Sequence, residues 1–530
     1  MRKKEIAVMV SLTALVVLFL VMLHLTTVEA EEGTRGGGDY KGSADCSGCH
    51  STLFWSWNNT SHSNAWDTLN NSSEHQDWCE VCHTTGANDT LHNGFNIITD
   101  KPEYLKNVQC EVCHGPAEEH ISSPTTFDLQ VNLSAELCSN CHRIAEFGGT
   151  ERRYHPYYDE WLNSSHSRSL QVAGGRVVTD PECRGCHVSQ VAIVEVFEGG
   201  VFQGPLDDPQ PITCSTCHDP HGSPNPYQLR KPIADICSSC HHPTEPHPGV
   251  ILEHPQSAMR NGTSDIPPSD VPSSRRMETV LCAECHMYAT AGPPRITGHE
   301  FVPKPEACAV CHDGGAPPQM NVAESATKIQ EWKETTHDYL FSAATNVTIA
   351  SSRLLLAEEH GFSQAVRDQA LSLFETANYS LIFVEADGSE GVHNPTYAWN
   401  LLNFSNEKAN EVVSLLTTGT VVGKLKDSNG NAVAGAQIRR DGYILAVTTA
   451  NGSFSLSHAP GVFTFEVIKD GRTLEEIRIV EVVGEETTDL GTVRLPPFAD
   501  NFALYVIILV SVMVLVIFAL AVYRYRHGKA

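Results

Sequence analysis

Nine times along this chain two cysteines three positions apart are followed at once by a histidine, and these Cys-x-x-Cys-His units consume all eighteen cysteines. None is left for a structural disulfide or a catalytic thiol. Paired cysteines in a secreted chain also suggest bridges, and Cys-x-x-Cys alone suggests zinc, but neither scheme asks for a histidine after every second cysteine. With only 26 histidines in 530 residues, nine such coincidences in a row are not a chance result. The unit is the attachment site of a c-type haem. Two thiols add across the two vinyl groups of one haem, at Cys46 and Cys49, Cys79 and Cys82, Cys110 and Cys113, Cys138 and Cys141, Cys183 and Cys186, Cys214 and Cys217, Cys237 and Cys240, Cys282 and Cys285, and Cys308 and Cys311. The adjacent histidine is the proximal iron ligand: His50, His83, His114, His142, His187, His218, His241, His286 and His312. The expected cofactor complement is nine covalently bound haem c groups.

Nine haems between residues 46 and 312 leave about thirty residues for each, too few to wrap an ordinary apolar core around every cofactor. The porphyrins themselves are therefore expected to be the core, with short helices and loops around them. The remaining pattern predicts a multidomain chain. Residues 1–30 read as a signal peptide, with Arg2, Lys3 and Lys4 before an apolar run and small residues at Val28-Glu29-Ala30; an uncleaved anchor is the alternative for that run. The nine-haem domain, α-rich and loop-rich, covers 31–318. A helical region at 319–418 completes it, on the apolar spacing of Trp332, Leu340, Leu354, Ala370, Leu373 and Phe374. Period-two alternation with turns at Asn429-Gly430 and Asn451-Gly452 predicts seven strands and a small all-β sandwich over 419–496. Residues 502–523 carry no charge and suffice for one transmembrane helix, and the cationic tail 524–530 places that end in the cytoplasm.

The haem region contains a duplication. Trp57-Asn58-Asn59-Thr60-Ser61-His62-Ser63 matches Trp161-Leu162-Asn163-Ser164-Ser165-His166-Ser167 at an offset of 104, and the same offset carries Cys79 onto Cys183 and Cys110 onto Cys214. Cys138 then pairs with Cys237 after a small contraction. Sixth ligands should recur at equivalent places, and three pairs of histidines do: His62 with His166, His120 with His221, and His155 with His254. Three haems remain, for which His299, His337 and His393 are the best candidates, with His75, His92, His242, His247 and His360 as competitors. If all nine irons are bis-histidine they are coordinatively full, suited to passing electrons and not to binding a substrate.

Together, Trp-x-Asn-x-Ser-His, Val108-Gln109-Cys110-Glu111-Val112-Cys113-His114-Gly115-Pro116, Cys217-His218-Asp219-Pro220-His221-Gly222 and Cys285-His286-Met287 resemble the multihaem cytochrome c superfamily. That superfamily includes hydroxylamine oxidoreductase, pentahaem nitrite reductase and octahaem tetrathionate reductase. Gly391-Val392-His393-Asn394-Pro395 and the segment after it are similar to the turn and helix closing those folds, which implies that His393 ligates a haem from a distance. The lysine that marks the catalytic haem of the nitrite reductases is missing from all nine motifs, and no spacing identifies Tyr339 or Tyr379 as the tyrosine of hydroxylamine oxidoreductase. Residues 419–496 resemble the carboxypeptidase regulatory-like sandwich, and no titratable cluster there points to catalysis.

The formal charge of −27 argues against nucleic acid as a partner. Sequons at Asn58, Asn71, Asn88, Asn132, Asn163, Asn261, Asn346 and Asn403 suggest a glycoprotein, which with multihaem chemistry suits an archaeal cell surface. The functional expectation is a single-pass cell-membrane protein with its haem domain outside, passing electrons between membrane electron carriers or other cytochromes and an extracellular acceptor. No catalytic residue is assigned. The alternative is an oxidoreductase acting on hydroxylamine, nitrite or tetrathionate at one open haem.

Overall fold

The computed structural model describes residues 37–496 apart from short internal stretches, the longest being 243–253 and 264–270. The expected signal peptide and the expected transmembrane helix and tail lie outside the described residues, as does His247. Among the described residues no helix is long and apolar enough to cross a membrane. The chain divides into two units, Met1–Thr244 with Arg276–Gln330 and Glu245–Arg275 with Glu331–Ala530.

In the first unit the helices that carry haem motifs are short, from the four-residue Cys214–Cys217 to the eight-residue Pro305–His312. Proline at the first turn starts Pro181–His187, where the Asp180 side chain caps the free Glu182 N–H at 3.1 Å. A small antiparallel ribbon joins β1 (Ala145–Phe147) to β2 (Thr150–Arg152). The duplication is a structural one. Trp57 Nε1–H donates to Val108 O at 3.0 Å and Trp161 Nε1–H to Ile212 O at 2.9 Å, the same bond displaced by 104 residues. Thr85 Oγ1 accepts from Gln109 N at 3.3 Å, as Ser189 Oγ accepts from Thr213 N at 3.3 Å. Two buried indoles thus tie each copy's entry helix to the segment just before its middle haem motif.

The second unit has ordinary protein cores. Its helical part contains Gln364–Asp387 and Pro395–Leu415, with most of the long helix Val322–Leu356. Ser363 caps the second of these three helices and Gly388, at φ 67°, ends it; Asn394 caps the third ahead of Pro395. Fully buried Ala343, Ala350, Ala370, Ala377, Ala398 and Ala409 let the helices approach closely around Phe383, Tyr397, Leu401 and Leu402. Residues 254–263 and 271–273, which the sequence pattern places with the haem motifs, belong to this unit. Met259 is wholly buried in the helical core, Gln256 Nε2–H reaches Asp387 O at 3.2 Å, and Asn400 Nδ2–H reaches Pro272 O at 2.7 Å. Tyr339 stacks on Trp399, and Tyr379 packs against Phe383.

All seven expected strands form: β3 (Gly419–Lys426), β4 (Gln437–Arg440), β5 (Tyr443–Val447), β6 (Ser453–His458), β7 (Gly461–Lys469), β8 (Arg472–Val482) and β9 (Thr487–Arg494). They make one sheet in the order β6-β3-β9, in which β3 and β9 are parallel, and another in the order β5-β4-β7-β8. Alternate side chains, Val421, Leu425, Ile438, Phe454, Leu456, Phe465 and Val467, fill the space enclosed. Gly452 sits at φ 81°, where a Cβ would lie 2.4 Å from Leu425 O, so no other residue fits that turn.

His458 is buried at the end of β6, its Nε2 accepting from Arg440 at 2.7 Å. Burial pushes its pKa down to about 4, and the nearby guanidinium acts in the same direction. A histidine depressed in the fold supports the folded state above its unfolded value near 6.5 and loses that support as pH falls towards 4. The melting temperature of the full chain should therefore fall between pH 6.5 and 4, and in His458→Gln part of that slope should vanish.

Candidate haem-binding sites

Both hydrophobic cores found among the described residues lie in the second unit. The first unit holds the nine motifs and is organised around pairs of histidine rings. Two imidazoles that bind one metal through nitrogens about 2 Å away have ring centres roughly 6 Å apart. Such pairs join each of six proximal histidines to a sequence-predicted distal one: His50 with His120 at 6.3 Å, His83 with His155 at 6.5 Å, His114 with His221 at 6.1 Å, His142 with His62 at 6.1 Å, His218 with His299 at 6.4 Å and His241 with His166 at 6.1 Å. His155 also lies 5.7 Å from His142. The duplication decides between them, because the His166–His241 pair is the second copy of His62–His142. The eighteen cysteines are all free, as thioether formation requires.

The pairs follow a rule that spacing alone does not suggest. The distal histidine after the middle motif of a copy serves an earlier motif: His120 faces His50, and His221 of the second copy faces His114 of the first.

Each ligand offers iron one nitrogen, and the other needs a partner to fix the tautomer. His83 Nδ1 donates to Ala65 O at 2.7 Å and His187 Nδ1 to Ser169 O at 3.1 Å, again equivalent bonds in the two copies. His120 donates to Phe127 O at 2.7 Å, His218 to Tyr227 O at 2.7 Å and His286 to Phe301 O at 3.0 Å. Nε2 is thereby left for the metal. Burial pushes His142, His166 and His299 down to about 4, so at neutral pH their imidazoles are neutral and need lose no proton to ligate. The residues present fit haem c.

Of the other sequence candidates, His254, His337 and His393 lie in the second unit. His393 Nδ1 bonds Oδ1 of buried Asp387 at 2.6 Å. His337 is 64% exposed, and its Nε2 is taken by Glu390 Oε2 at 2.9 Å. His92 bonds Asp89 at 2.9 Å, and His75 lies edge-on to Trp66 beside Glu80.

Thiol contacts order the motifs in space. Cys46 lies beside Cys110, Cys138 beside Cys214, Cys82 beside Cys141 and Cys186 beside Cys240. Cys113 lies near Cys138, Cys217 near Cys240 and Cys285 near Cys308. The first, third, fourth, sixth and seventh motifs thus form a line. The second joins it at the fourth, the fifth at the seventh, and the eighth and ninth are neighbours. Cys82 with Cys141 and Cys186 with Cys240 are one contact repeated by the duplication. Only Cys49 and Cys311, in the first and last motifs, are exposed.

Carboxylates that no motif marks hold this arrangement. Buried Glu160 accepts from Thr297 N at 2.9 Å, Thr297 Oγ1 at 2.6 Å and His299 N at 2.9 Å, and so places the loop that carries His299. Buried Glu111, inside the third motif, accepts from Gly42 N at 2.7 Å and Ala117 N at 2.9 Å, which binds the approach to the first motif to its neighbour. The signal in sequence is only an acidic residue where the pattern is otherwise apolar. Glu160→Ala should release His299 and produce a high-spin fraction in the ferric absorption spectrum, and Glu160→Gln, which keeps one acceptor, should produce less.

Three family models match parts of the chain: cytochrome c552 at residues 272–429, a doubled CXXCH motif at 205–246, and cytochrome c554 and c-prime at 45–115. The multiheme cytochrome MtrA of Shewanella baltica is 32% identical over 187 residues, 32% of this chain and 54% of that protein. The cytochrome c nitrite reductase subunit NrfA of Nitratidesulfovibrio vulgaris is 24% identical over 270 residues, 47% of each. The chain thus spans about half the length of these two relatives. The crystal structure of the outer cell wall cytochrome OcwA superposes with a TM-score of 0.51 at 21% identity, covering 70% of this chain and 99% of that one, a likeness of fold. By its motifs, its paired histidines and these matches, the chain belongs to the multihaem cytochrome c superfamily.

Proposed function

We propose that this protein is a membrane-anchored, extracytoplasmic cytochrome with nine haems that carries electrons between membrane redox carriers or partner cytochromes and an extracellular acceptor. The observation that carries the reading is the set of six histidine pairs at metal-sharing distance. Iron held between two imidazoles has no free position and changes oxidation state without exchanging ligands, which is the chemistry the haems supply. The residues of this chain do the rest. The carbonyls of Ala65, Phe127, Tyr227 and Phe301 fix the ring tautomers, and the fold sets the cysteines of successive motifs side by side, so that their haems are neighbours. His254 and His393 are proposed for two of the remaining sixth positions, and His337 for the third, where it must exchange Glu390 for iron.

The anchor rests on the uncharged run 502–523 and its cationic tail, and export on the segment 1–30. Sequons at exposed Asn58, Asn71 and Asn163 suit glycosylation at a cell surface. The sandwich is most simply a spacer that holds the haems away from the membrane. Resemblance to an outer cell wall cytochrome agrees with an external site of action. Paramagnetic resonance of the oxidised protein, joined to turnover assays, tests the proposal. Low-spin signals for every haem and no turnover of nitrite, hydroxylamine or tetrathionate are expected. A stoichiometric high-spin haem together with turnover of one of them would establish the catalytic alternative.

A further inference from the structure

The six histidine pairs fall into two classes by the angle between their rings. In His50–His120, His114–His221 and His218–His299 the planes are nearly parallel, at 20°, 15° and 27°. In His83–His155, His62–His142 and His166–His241 they are turned by 45°, 55° and 66°. No pair lies between 27° and 45°.

The classes follow the duplication. His114 and His218 belong to the middle motifs of the two copies, and both pairs are near-parallel. His142 and His241 belong to the third motifs, and both pairs are turned. The middle-motif pairs share only the proximal ring, their partners being His221 and His299. In the third-motif pairs both rings recur in the two copies, His62 with His142 and His166 with His241, so their class is set by features that the copies share. One is the anchoring of each entry helix by its indole, Trp57 to Val108 O and Trp161 to Ile212 O, just before His62 and His166. Another is the hydroxyl that follows each of those histidines: Ser63 Oγ donates to Asn58 O and Thr60 O, and Ser167 Oγ to Leu162 O and Ser164 O, all at 2.8 to 2.9 Å.

Ring angle matters to a ferric low-spin iron because each imidazole donates π density along one direction. Parallel rings raise one of the two iron orbitals of that symmetry above the other. Rings turned towards perpendicular act on both and leave them close in energy. The first arrangement yields a rhombic resonance with three well-separated features, and the second a single strongly anisotropic feature at low field. We propose that the duplicated scaffold builds two electronic classes of haem into one chain, with the middle-motif histidines His114 and His218 and also His50 in the rhombic class, and His83, His142 and His241 in the anisotropic class. His62 and His166 are thereby positioning residues as well as ligands, since their anchored helices set the ring angle.

This inference rests on the bis-histidine reading and is tested separately from it. The near-infrared magnetic circular dichroism band of bis-imidazole iron counts the haems so ligated, and electron paramagnetic resonance of the same oxidised sample sorts them. Both features are expected in the wild type, each integrating to at least three haems. His221→Met should remove one rhombic component and leave the low-field feature intact; His166→Met should remove one low-field component and leave the rhombic set intact. Fewer than six bis-imidazole haems in the dichroism would overturn the ligation reading. A full dichroism count with only one class of resonance, or with the two variants striking the same class, would overturn the sorting and leave ligation standing. The wild-type spectra alone decide the point if either variant fails to accumulate.

Discussion

Replacing Cys138 and Cys141 with alanine will remove one haem and cut electron flow through the protein by orders of magnitude. The fourth motif touches more of its fellows than any other in the line: Cys138 meets Cys214 of the sixth motif and lies near Cys113 of the third, and Cys141 meets Cys82 of the second. Without its haem the first and third motifs are separated from the sixth and seventh by the width of a missing cofactor, and transfer between redox centres falls steeply with separation. The matched deletion at the second motif, Cys79→Ala with Cys82→Ala, also removes one haem but leaves the line from the first to the seventh continuous. It should lower conductance only modestly. Current through oriented monolayers of the two variants, with the haem count of each checked by pyridine haemochrome absorption, measures the difference. Equal losses would mean that the thiol contacts do not describe the electron route.

The second large effect is expected from His166→Ala. His166 is half-buried and stands 6.1 Å from His241 with Phe301 edge-on at 4.6 Å. One haem should turn from low-spin to high-spin, and the reduced protein should gain one equivalent of carbon monoxide binding. His62→Ala is its counterpart in the first copy, with a different outcome: His155, 5.7 Å from His142, is near enough to compete for the vacated position. Carbon monoxide uptake in His62→Ala should therefore fall below one equivalent. Equal uptake by both variants would remove the distinction between the copies.

Much of this was legible in residues, and the reasons are physical. Covalent attachment demands two thiols and a histidine in fixed register, so the haem sites are written locally and cannot be missed. Distal histidines have no local register, yet six of the nine candidates sit at metal-sharing distance from a proximal ring. Duplication made five of the six visible, all but His299, because a ligand that must recur in two copies stands out from histidines that need not. Partner choice was not legible. That His221 reaches back to the first copy's motif, rather than to a haem of its own, depends on how the copies stack. The strands and long helices appeared where alternation and apolar spacing placed them. The unit boundary did not, since Met259 and its neighbours are separated in sequence from the helices they pack on by two haem motifs. Glu160 and Glu111 were invisible for a related reason: a buried carboxylate that serves backbone amides leaves no trace in the pattern of its own segment.

We propose that every iron in this chain is clasped between two imidazoles. The most direct test is magnetic circular dichroism in the near infrared on the intact oxidised protein, with the haem number of the same sample fixed by its mass. Nine haems and a bis-imidazole band of ninefold intensity, unchanged by added cyanide or nitrite, are expected. A mass corresponding to fewer haems, or a full haem complement in which one iron is missing from that band and shifts on adding nitrite, would contradict it.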